Sequence, residues 1–405
     1  MRIPKMDHDN EDHHRRLTIV HTDFHRGWGG QINRVLTACA ELRRRGHRII
    51  LALPAGGRPA ARAAREAFEV CDDLRFRKTK YVFDMARDAW TLRNLLRETG
   101  ADVVHSHGSQ DTWAVAIANT VLPGAPRTVH LLTRHNTKRV RDTRANRWLI
   151  SRAIDRLVVV DRSVLERYRP FLTRGELDSG EIAVIPSPLR PDFHSTALPK
   201  RSALREELGR DDTSLLIGTA ARLAPDKGQK YLLEAAAKLL PRFSQIEIVL
   251  AGNGVDTDRL TELAGKLGIA ARVHFLGYRE DVATVLAALD IAVLPSIDCD
   301  ASSGMLKEAL ALGIPTVATD IGGARTILDE GRFGRIVEAG NADALAEGIS
   351  ETLCDLEQAR IRARAGGEHI RAKYTVEGLG DALEAVYFEA LAARGKQTAK
   401  TSRKP

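Results

Sequence analysis

The chain has 405 residues, 43% of them hydrophobic and 28% charged, an ordinary globular composition that at this length points to two domains rather than one or three. Its apolar runs, such as RLVVV and IAVLP, fall far short of the roughly 20 residues that cross a bilayer, and Cys39, Cys71, Cys299 and Cys354 form neither a CxxC pair nor a ligand cluster, which argues for reduced cytoplasmic thiols. The formal charge of +8 is uneven: residues 1–190 carry 34 Lys+Arg against 22 Asp+Glu, a balance of +12, whereas 191–405 carry 27 against 31, a balance of −4.

The opening MRIPKMDHDNEDHHRR, residues 1–16, is charged and His-rich and reads as a disordered leader with no secretory apolar region. From Leu17 to Val20 a β-branched run leads into the Gly-rich HRGWGGQ, and residues 32–45 then show helical spacing. The strand, loop and helix alternation recurs through RIILALP, ADVVHSHG, RTVHLLTRH and RLVVVDRS, which predicts a first Rossmann-like domain over 17–186. Three prolines in IPSPLRPDF break the pattern and mark a linker over 187–200. The alternation restarts with SLLIGTAARL, IEIVLAGNG, ARVHFLG, DIAVLPS and IPTVATD, a second doubly wound domain over 201–375. A helix over 376–393 and a disordered basic tail over 394–405 complete the reading. In such folds ligands bind at the carboxyl ends of the strands, so the chemistry belongs to the post-strand loops.

The richest of those loops follows DIAVLPS and runs Asp298, Cys299, Asp300, Ala301, Ser302, Ser303, Gly304, Met305 to Glu308. Ser302 or Ser303 can cap a helix there, and the free N–H groups of Ser303, Gly304 and Met305 would face an anion such as a diphosphate. Asp300 and Glu308 stand a little over two helical turns apart, so they can meet one elongated ligand at two points, where carboxylates suit sugar or ribose hydroxyls. In RLAPDKG, Arg222 and Lys227 lie between a strand and a helix and can bring two cations to a leaving diphosphate. VVHSHG places His107 at a strand end, and LLTRHNT does the same for His135; single histidines in such places are more often structural, and a zinc site would need a third ligand that the spacing does not reveal. The sharpest basic patch opens with Arg134, Lys138, Arg139 and Arg141, whose ordinary role would be a solvated cationic face.

PSIDCDASSGMLKEALALGIPTVATDIGG resembles the acid-x7-acid region of the retaining glycosyltransferases of family four, the group 1 glycosyltransferases. Gly29-Gly30, RLAPDKG, and LAGNG followed by HFLGY resemble further stretches of that family in the same order. The resemblance implies an α/β GT-B architecture, two Rossmann-like doubly wound domains facing a central cleft, the first binding the acceptor and the second the nucleotide sugar. It implies a retaining, hexosyltransferase-like enzyme that moves a sugar from a nucleoside diphosphate of the UDP, GDP or ADP type, with no bound cofactor and no metal. Arg222 and Lys227 would stabilise the diphosphate, Glu308 would bind ribose, Asp300 the donor sugar, and backbone near Gly252 and Tyr278 the base. Gly29 and Gly30 would lie by the diphosphate or acceptor, and His107 and His135 would contact sugar or acceptor. Asp300 stands where the family usually has Glu, and Ala301, Ser302 and Ser303 stand where Gly-Phe-Gly is common, which bears on donor-sugar preference.

Asp298-Cys299-Asp300 also reads as the D-x-D metal motif of the other main glycosyltransferase fold, but that motif belongs to a single nucleotide-binding domain rather than late in a second half. The expected acceptor is a saccharide or lipid-linked saccharide of lipopolysaccharide or another cell-envelope glycoconjugate. The Arg134 to Arg141 patch would meet a phosphorylated acceptor or an anionic membrane surface, which puts the protein in the cytoplasm or peripherally on the inner face of the membrane, with no nucleic-acid partner. A nucleotide-sugar epimerase or phosphorylase of the same fold is the nearest alternative. An anionic-surface or nucleic-acid binding protein would account for the basic half but leaves Arg222, Lys227 and Glu308 unexplained.

Overall fold

The computed structural model describes residues 15–77, 81–194, 199–298 and 300–401. Most of the sequence-read leader, the last four residues of the tail, residues 195–198 of the predicted linker, and Cys299 of the D-x-D triplet therefore lie outside the described residues. Contacts divide the chain into two compact units: one holds residues up to Thr133, Arg147–Leu157 and those from Leu383 onward, and the other holds Arg134–Asn146 and Val158–Ala382.

The first sheet comprises β1 (Thr18–Thr22), β2 (Arg48–Pro54), β3 (Glu69–Leu74), β4 (Val103–Ser106), β5 (Val129–Arg134), β6 (Arg156–Val159) and β7 (Ile182–Val184), in the order β3-β2-β1-β4-β5-β6-β7. The second comprises β8 (Leu215–Ala220), β9 (Ile246–Ala251), β10 (Val273–Gly277), β11 (Ile291–Leu294), β12 (Thr316–Thr319) and β13 (Arg335–Val337), in the order β10-β9-β8-β11-β12-β13. The pairs β1 with β2 and β4, and β8 with β9 and β11, are parallel. Each sheet reverses its winding beside its first strand, between β1 and β4 and between β8 and β11, and that is where an open α/β sheet leaves a ligand crevice at the strand ends.

Successive residues of the second sheet enter different cores: Leu216, Val249, Ala292 and Ala318 pack with Leu306 and Leu310, whereas Ile217, Ile248, Leu250, Val293 and Val317 pack with Leu232, Leu233 and Ile349. The period-2 geometry of a strand thus buries both faces, which is why these strands are mainly apolar rather than alternating. In the first unit Val20, Ile50, Ala52 and Val104 pack with Leu92, Leu96 and Val115.

Two segments differ from the sequence reading. Leu189 and Phe193, within the proline-rich segment, are buried in the core of the second unit, and the Leu189 amide donates to the Tyr374 carbonyl at 2.7 Å, so this part is packed structure rather than a free connector. The last helix runs Val376–Thr401, past the Ala393 boundary; Ala, Arg, Lys and Gln are good helix formers despite their polarity, and Arg394 donates to Asp155 at 2.8 Å. Among the described residues no helix is long and apolar enough to cross a membrane.

Candidate active site

In the second unit, β8 and β11 are neighbours, with Ile291 opposite Ile217, so the loops that leave their carboxyl ends run side by side. The loop after β8 tightens into a 3-10 turn, Pro225–Lys227, and closes on Gly228 in the left-handed region at φ +67°. The Ile297 amide donates to the Asp226 carbonyl at 3.0 Å and ties the two loops together. Lys227 is thereby set against the loop after β11: its Nζ lies 2.9 Å from Asp300 Oδ2, which also accepts from the Ser296 hydroxyl at 3.1 Å. Arg222 is more open, 65% exposed, with a loose 3.4 Å pair to Asp226.

Of the two candidate serines, Ser303 caps the helix Gly304–Ala311; its hydroxyl accepts from the Leu306 amide at 3.3 Å. The turn ahead of this helix is held from behind by Gly322, at φ +57°, where a Cβ would sit 1.8 Å from the Asp300 carbonyl oxygen. Met305 and Glu308 are buried on the helix. Glu308 Oε1 lies 3.1 Å from Arg190 Nε, and burial pushes its carboxyl above the usual range, opposed by the charges of Arg190 and Lys307 and reinforced by Asp192. Lys307 is itself fully buried, donating to the Ser187 carbonyl at 2.6 Å and the Ser302 hydroxyl at 3.1 Å. Gly252, at φ +138°, lets the loop after β9 close on the Ala221 carbonyl, and Tyr278, after β10, is half exposed. Arg222, Lys227, Asp300, Ser303, Gly304, Met305, Glu308, Gly252 and Tyr278 thus all lie in, or on the helix entered from, loops at one edge of one sheet. Asp298 and Asp300 flank Cys299, and Asp300 is already committed to Lys227 and Ser296.

Also in the second unit, His135 is half-buried, and Arg134 donates to the Lys138 carbonyl at 3.1 Å within a loop on which Lys138, Arg139 and Arg141 are exposed.

In the first unit the loop after β1 leads through Gly29, in extended backbone, into the helix Gly30–Arg44; a Cβ on either glycine would meet nothing within 4 Å. His107 is buried after β4, its Nε2 3.0 Å from His21 Nδ1, and the Gln31 amide donates to its carbonyl at 2.9 Å. His105, the deeper of the pair, bonds Tyr387 at 2.7 Å and Thr133 at 2.7 Å. Burial first, and then the Arg34 cation, press the His21 imidazole down to about 3, so it is neutral at physiological pH. His21, His105 and His107 offer nitrogens within 4.8 Å of one another; His21 Nδ1 faces His107 Nε2, both His105 nitrogens are hydrogen-bonded, and the Arg34 cation acts on His21.

Beside this trio lies a carboxylate pair. Asp23 accepts from the His25 amide at 2.8 Å and from Gln31 at 2.8 Å. Asp111 Oδ2 accepts from the Thr22 hydroxyl and the His107 amide at 2.9 Å each, while its buried Oδ1 has no partner. Burial and then the charge of Asp23 raise the Asp111 carboxyl to about 7 against the opposition of its donors. A carboxyl with a raised folded-state value stabilises the fold fully below its unfolded value near 4 and loses that contribution as pH rises through about 7. Asp111→Asn keeps an acceptor for the Thr22 hydroxyl and for the His107 and Gly108 amides and removes the titration. The thermal midpoint of the variant is therefore expected to gain on that of the parent chain as pH rises from 4.5 to 7.5. Parallel curves would show that Asp111 does not carry this titration.

The sequence reading singled out neither Asp23, Asp111, Arg190 nor Tyr387. The first two follow strands in the loops where ligand residues gather, a signal that was available; Arg190 and Tyr387 act through long-range partners that leave no local signature.

Two doubly wound parallel sheets with charged loops at their carboxyl ends define the protein as an α/β chain of the GT-B type. Its fold matches a glycosyltransferase from Rickettsia africae with a TM-score of 0.80 at 20% identity, covering 93% of this chain and 99% of that one. It matches Anabaena HepE, solved in complex with UDP-glucose, with a TM-score of 0.78 at 20% identity, covering 93% and 100%. Two sequence families tile the chain, Glycosyltransferase Family 4 over residues 28–193 and Glycosyl transferases group 1 over residues 200–368. The chain belongs to the family 4, group 1 glycosyltransferases. It is 29% identical to the alpha-D-kanosaminyltransferase of Streptomyces kanamyceticus over 317 residues, 74% of this chain and 81% of that protein. It is 33% identical to a D-inositol 3-phosphate glycosyltransferase of Corynebacterium urealyticum over 45% of each. It is also 29% identical to the lipopolysaccharide core biosynthesis glycosyltransferase LpsE of Rhizobium meliloti over 44% of this chain and 50% of that one, so it spans about half the length of these last two relatives.

Proposed function

We propose that this glycosyltransferase moves a sugar from a nucleoside diphosphate to an acceptor hydroxyl with retention at the anomeric carbon, in the assembly of lipopolysaccharide or another cell-envelope glycoconjugate. The observation that carries the reading is the convergence of Lys227, Arg222, the Ser303-capped helix start and Glu308 at one sheet edge of the second unit. The names of LpsE and of HepE with UDP-glucose support the envelope setting and the donor class.

In this reading the bond from the anomeric carbon to the diphosphate oxygen breaks and its electron pair passes to the diphosphate. Arg222, Lys227 and the N–H groups of Ser303, Gly304 and Met305 meet that charge, which is worth most where it develops in the transition state. The acceptor hydroxyl attacks the same face and its proton goes to the departing phosphate oxygen, so no protein nucleophile is needed. Glu308 accepts from the ribose hydroxyls, Asp300 from the donor sugar, and backbone by Gly252 and Tyr278 frames the base. Gly29, Gly30, His107 and His135 serve the sugar or acceptor. The exposed Lys138, Arg139 and Arg141 beside Arg134 serve a phosphorylated acceptor or the inner membrane surface.

Release of free nucleoside diphosphate from a panel of UDP-, GDP- and ADP-sugars tests the donor reading, with Glu308→Ala as the control that should lose it. A panel with no acceptor-dependent release from any donor would overturn it. Asp300→Glu lengthens the acid that Lys227 and Ser296 hold, so the rank order of donor sugars is expected to shift; an unchanged rank order removes Asp300 from donor selection.

A further inference from the structure

Arg190 lies in the proline-rich segment and none of the motif stretches includes it, yet it is the cation nearest the Glu308 carboxylate, with Nε at 3.1 Å from Oε1. Its position is fixed on both sides. Ahead of it, Leu189 is buried and its amide donates to the Tyr374 carbonyl at 2.7 Å, while the Ser187 carbonyl accepts from Lys307 at 2.6 Å. Behind it, the fully buried Phe193 lies under the guanidinium, 4.9 Å from ring centroid to Cζ. An arginine so anchored is not a solvated surface arm, and it has little rotamer freedom left to lose when a ligand arrives.

A carboxylate that takes two neighbouring hydroxyls has to be ionised, because only then do both oxygens act purely as acceptors. Burial at Glu308 works against that state. The charged groups that face it are Arg190, Lys307 and Asp192. Asp192 is exposed and carries the same sign as Glu308, and Lys307 directs its ammonium to the Ser187 carbonyl and the Ser302 hydroxyl. Arg190 is the group that offsets the burial by direct contact. The Nε–H is buried and not aligned on Oε1, so the contact is an ion pair, and it engages Oε1. The missing side chain of Gly304 keeps the other approach open: a Cβ there would sit 3.5 Å from Glu308 Oε1.

We propose that Arg190 is a positioning residue of the donor site, holding Glu308 ionised and aimed so that it accepts from the adjacent ribose hydroxyls of the donor nucleotide. The proposal rests on the reading of Glu308 as the ribose ligand and adds the residue that makes that role work near neutral pH. Ionised Glu308 binds and protonated Glu308 does not, so affinity falls as pH falls through the midpoint of this carboxyl. Loss of an opposite charge in contact moves such a midpoint upward, by about 1–3 pH units.

The test is calorimetric titration of UDP, GDP and ADP into the full chain and into Arg190→Gln, Arg190→Lys and Glu308→Gln between pH 5 and 8.5. The expected result is binding of one nucleotide by the parent chain and its loss in Glu308→Gln. Arg190→Gln should bind at least about tenfold more weakly than the parent at the acid end of the range, with the deficit shrinking as pH rises, a difference that follows from the displaced midpoint. Arg190→Lys, which keeps the charge, should restore most of the acid-side affinity. In turnover, Arg190→Gln should raise the donor KM with little change in kcat. If the chain binds none of the three nucleotides, or if Glu308→Gln binds as the parent does, the donor reading itself fails. If Glu308→Gln loses binding while Arg190→Gln keeps the parent pH profile, or is weakened equally at every pH, the role of Arg190 is overturned. Should Arg190→Gln not fold, Arg190→Met, which keeps an apolar stem over Phe193 and removes the charge, supplies the same measurement, and a parent-like pH profile in that variant overturns the proposal.

Discussion

Lys227→Met should lower kcat/KM for sugar transfer by about 10²–10³-fold, the usual consequence of removing one donor from a site where transition-state charge develops. Lys227 is only 19% exposed and already holds Asp300 at 2.9 Å. An ammonium has three N–H donors and Asp300 takes one, so two remain for phosphate oxygens without breaking the ion pair. Arg222 cannot substitute, since it sits out in solvent with a loose partner in Asp226 at 3.4 Å. Methionine keeps the length and the apolar stem and deletes only the charge. The loss is expected in kcat more than in donor KM, because the charge on the diphosphate grows as the bond breaks. Parent-like kcat in Lys227→Met, with an unchanged thermal midpoint, would falsify its role in leaving-group stabilisation.

Much of the fold was legible in the sequence because the strands at the centre of each sheet are covered on both faces. LLIGTA is a near-continuous apolar run for that reason, IEIVLA departs from one only at Glu247, which is buried against Arg210, Arg272 and His274, and each strand is followed by a polar turn where the chain leaves the sheet. Legibility fades at the sheet edges. β3 is EVCDDL, mostly half-buried or exposed, and its acids mask a strand that is held by pairing along β2. β7 and β13 have three residues each and no fully buried position, too little for any periodicity to register. The basic, polar composition after Ala393 suggests disorder, yet Ala, Arg, Lys and Gln favour helix, and the terminal helix runs on to Thr401.

The candidate site divides along the same physical line. Residues that follow a strand and open a helix announce themselves through local chemistry, and Ser303, Gly304, Lys227 and Glu308 do so. The partners that set their charge and aim come from far along the chain. Arg190 lies in a stretch whose prolines suggest a connector, and only the buried Leu189 and Phe193 on either side reveal that it is clamped against Glu308. The His105 contact to Tyr387 spans 282 positions in sequence. Its physical cause is the return of the terminal helix to the first unit, to which the residues from Leu383 onward belong.

The glycines separate a structural requirement from a ligand requirement, and the separation can be measured. Gly228 sits at φ +67°, and a Cβ there would lie 1.9 Å from the Pro295 carbonyl oxygen, a backbone atom with no rotamer to yield. The left-handed backbone alone costs an alanine about 1–2 kcal/mol. The collision adds to this by forcing apart the two loops that the Ile297 amide ties to Asp226, and Lys227 is carried away from Asp300 with them. Gly228→Ala should therefore lower the thermal midpoint by several degrees and cut transfer by about 10²-fold, the cost of misplacing a catalytic group by about 1 Å. Gly29 is the opposite case: its backbone is extended, any residue can adopt it, and a Cβ would meet nothing within 4 Å. Gly29→Ala should leave the thermal midpoint unchanged. If transfer falls all the same, the space beside that glycine is needed by a ligand, and comparing donor KM with acceptor KM in this variant tells which substrate fills it. Should Gly29→Ala match the parent in both, the glycine pair serves the start of the helix Gly30–Arg44 and not the substrate.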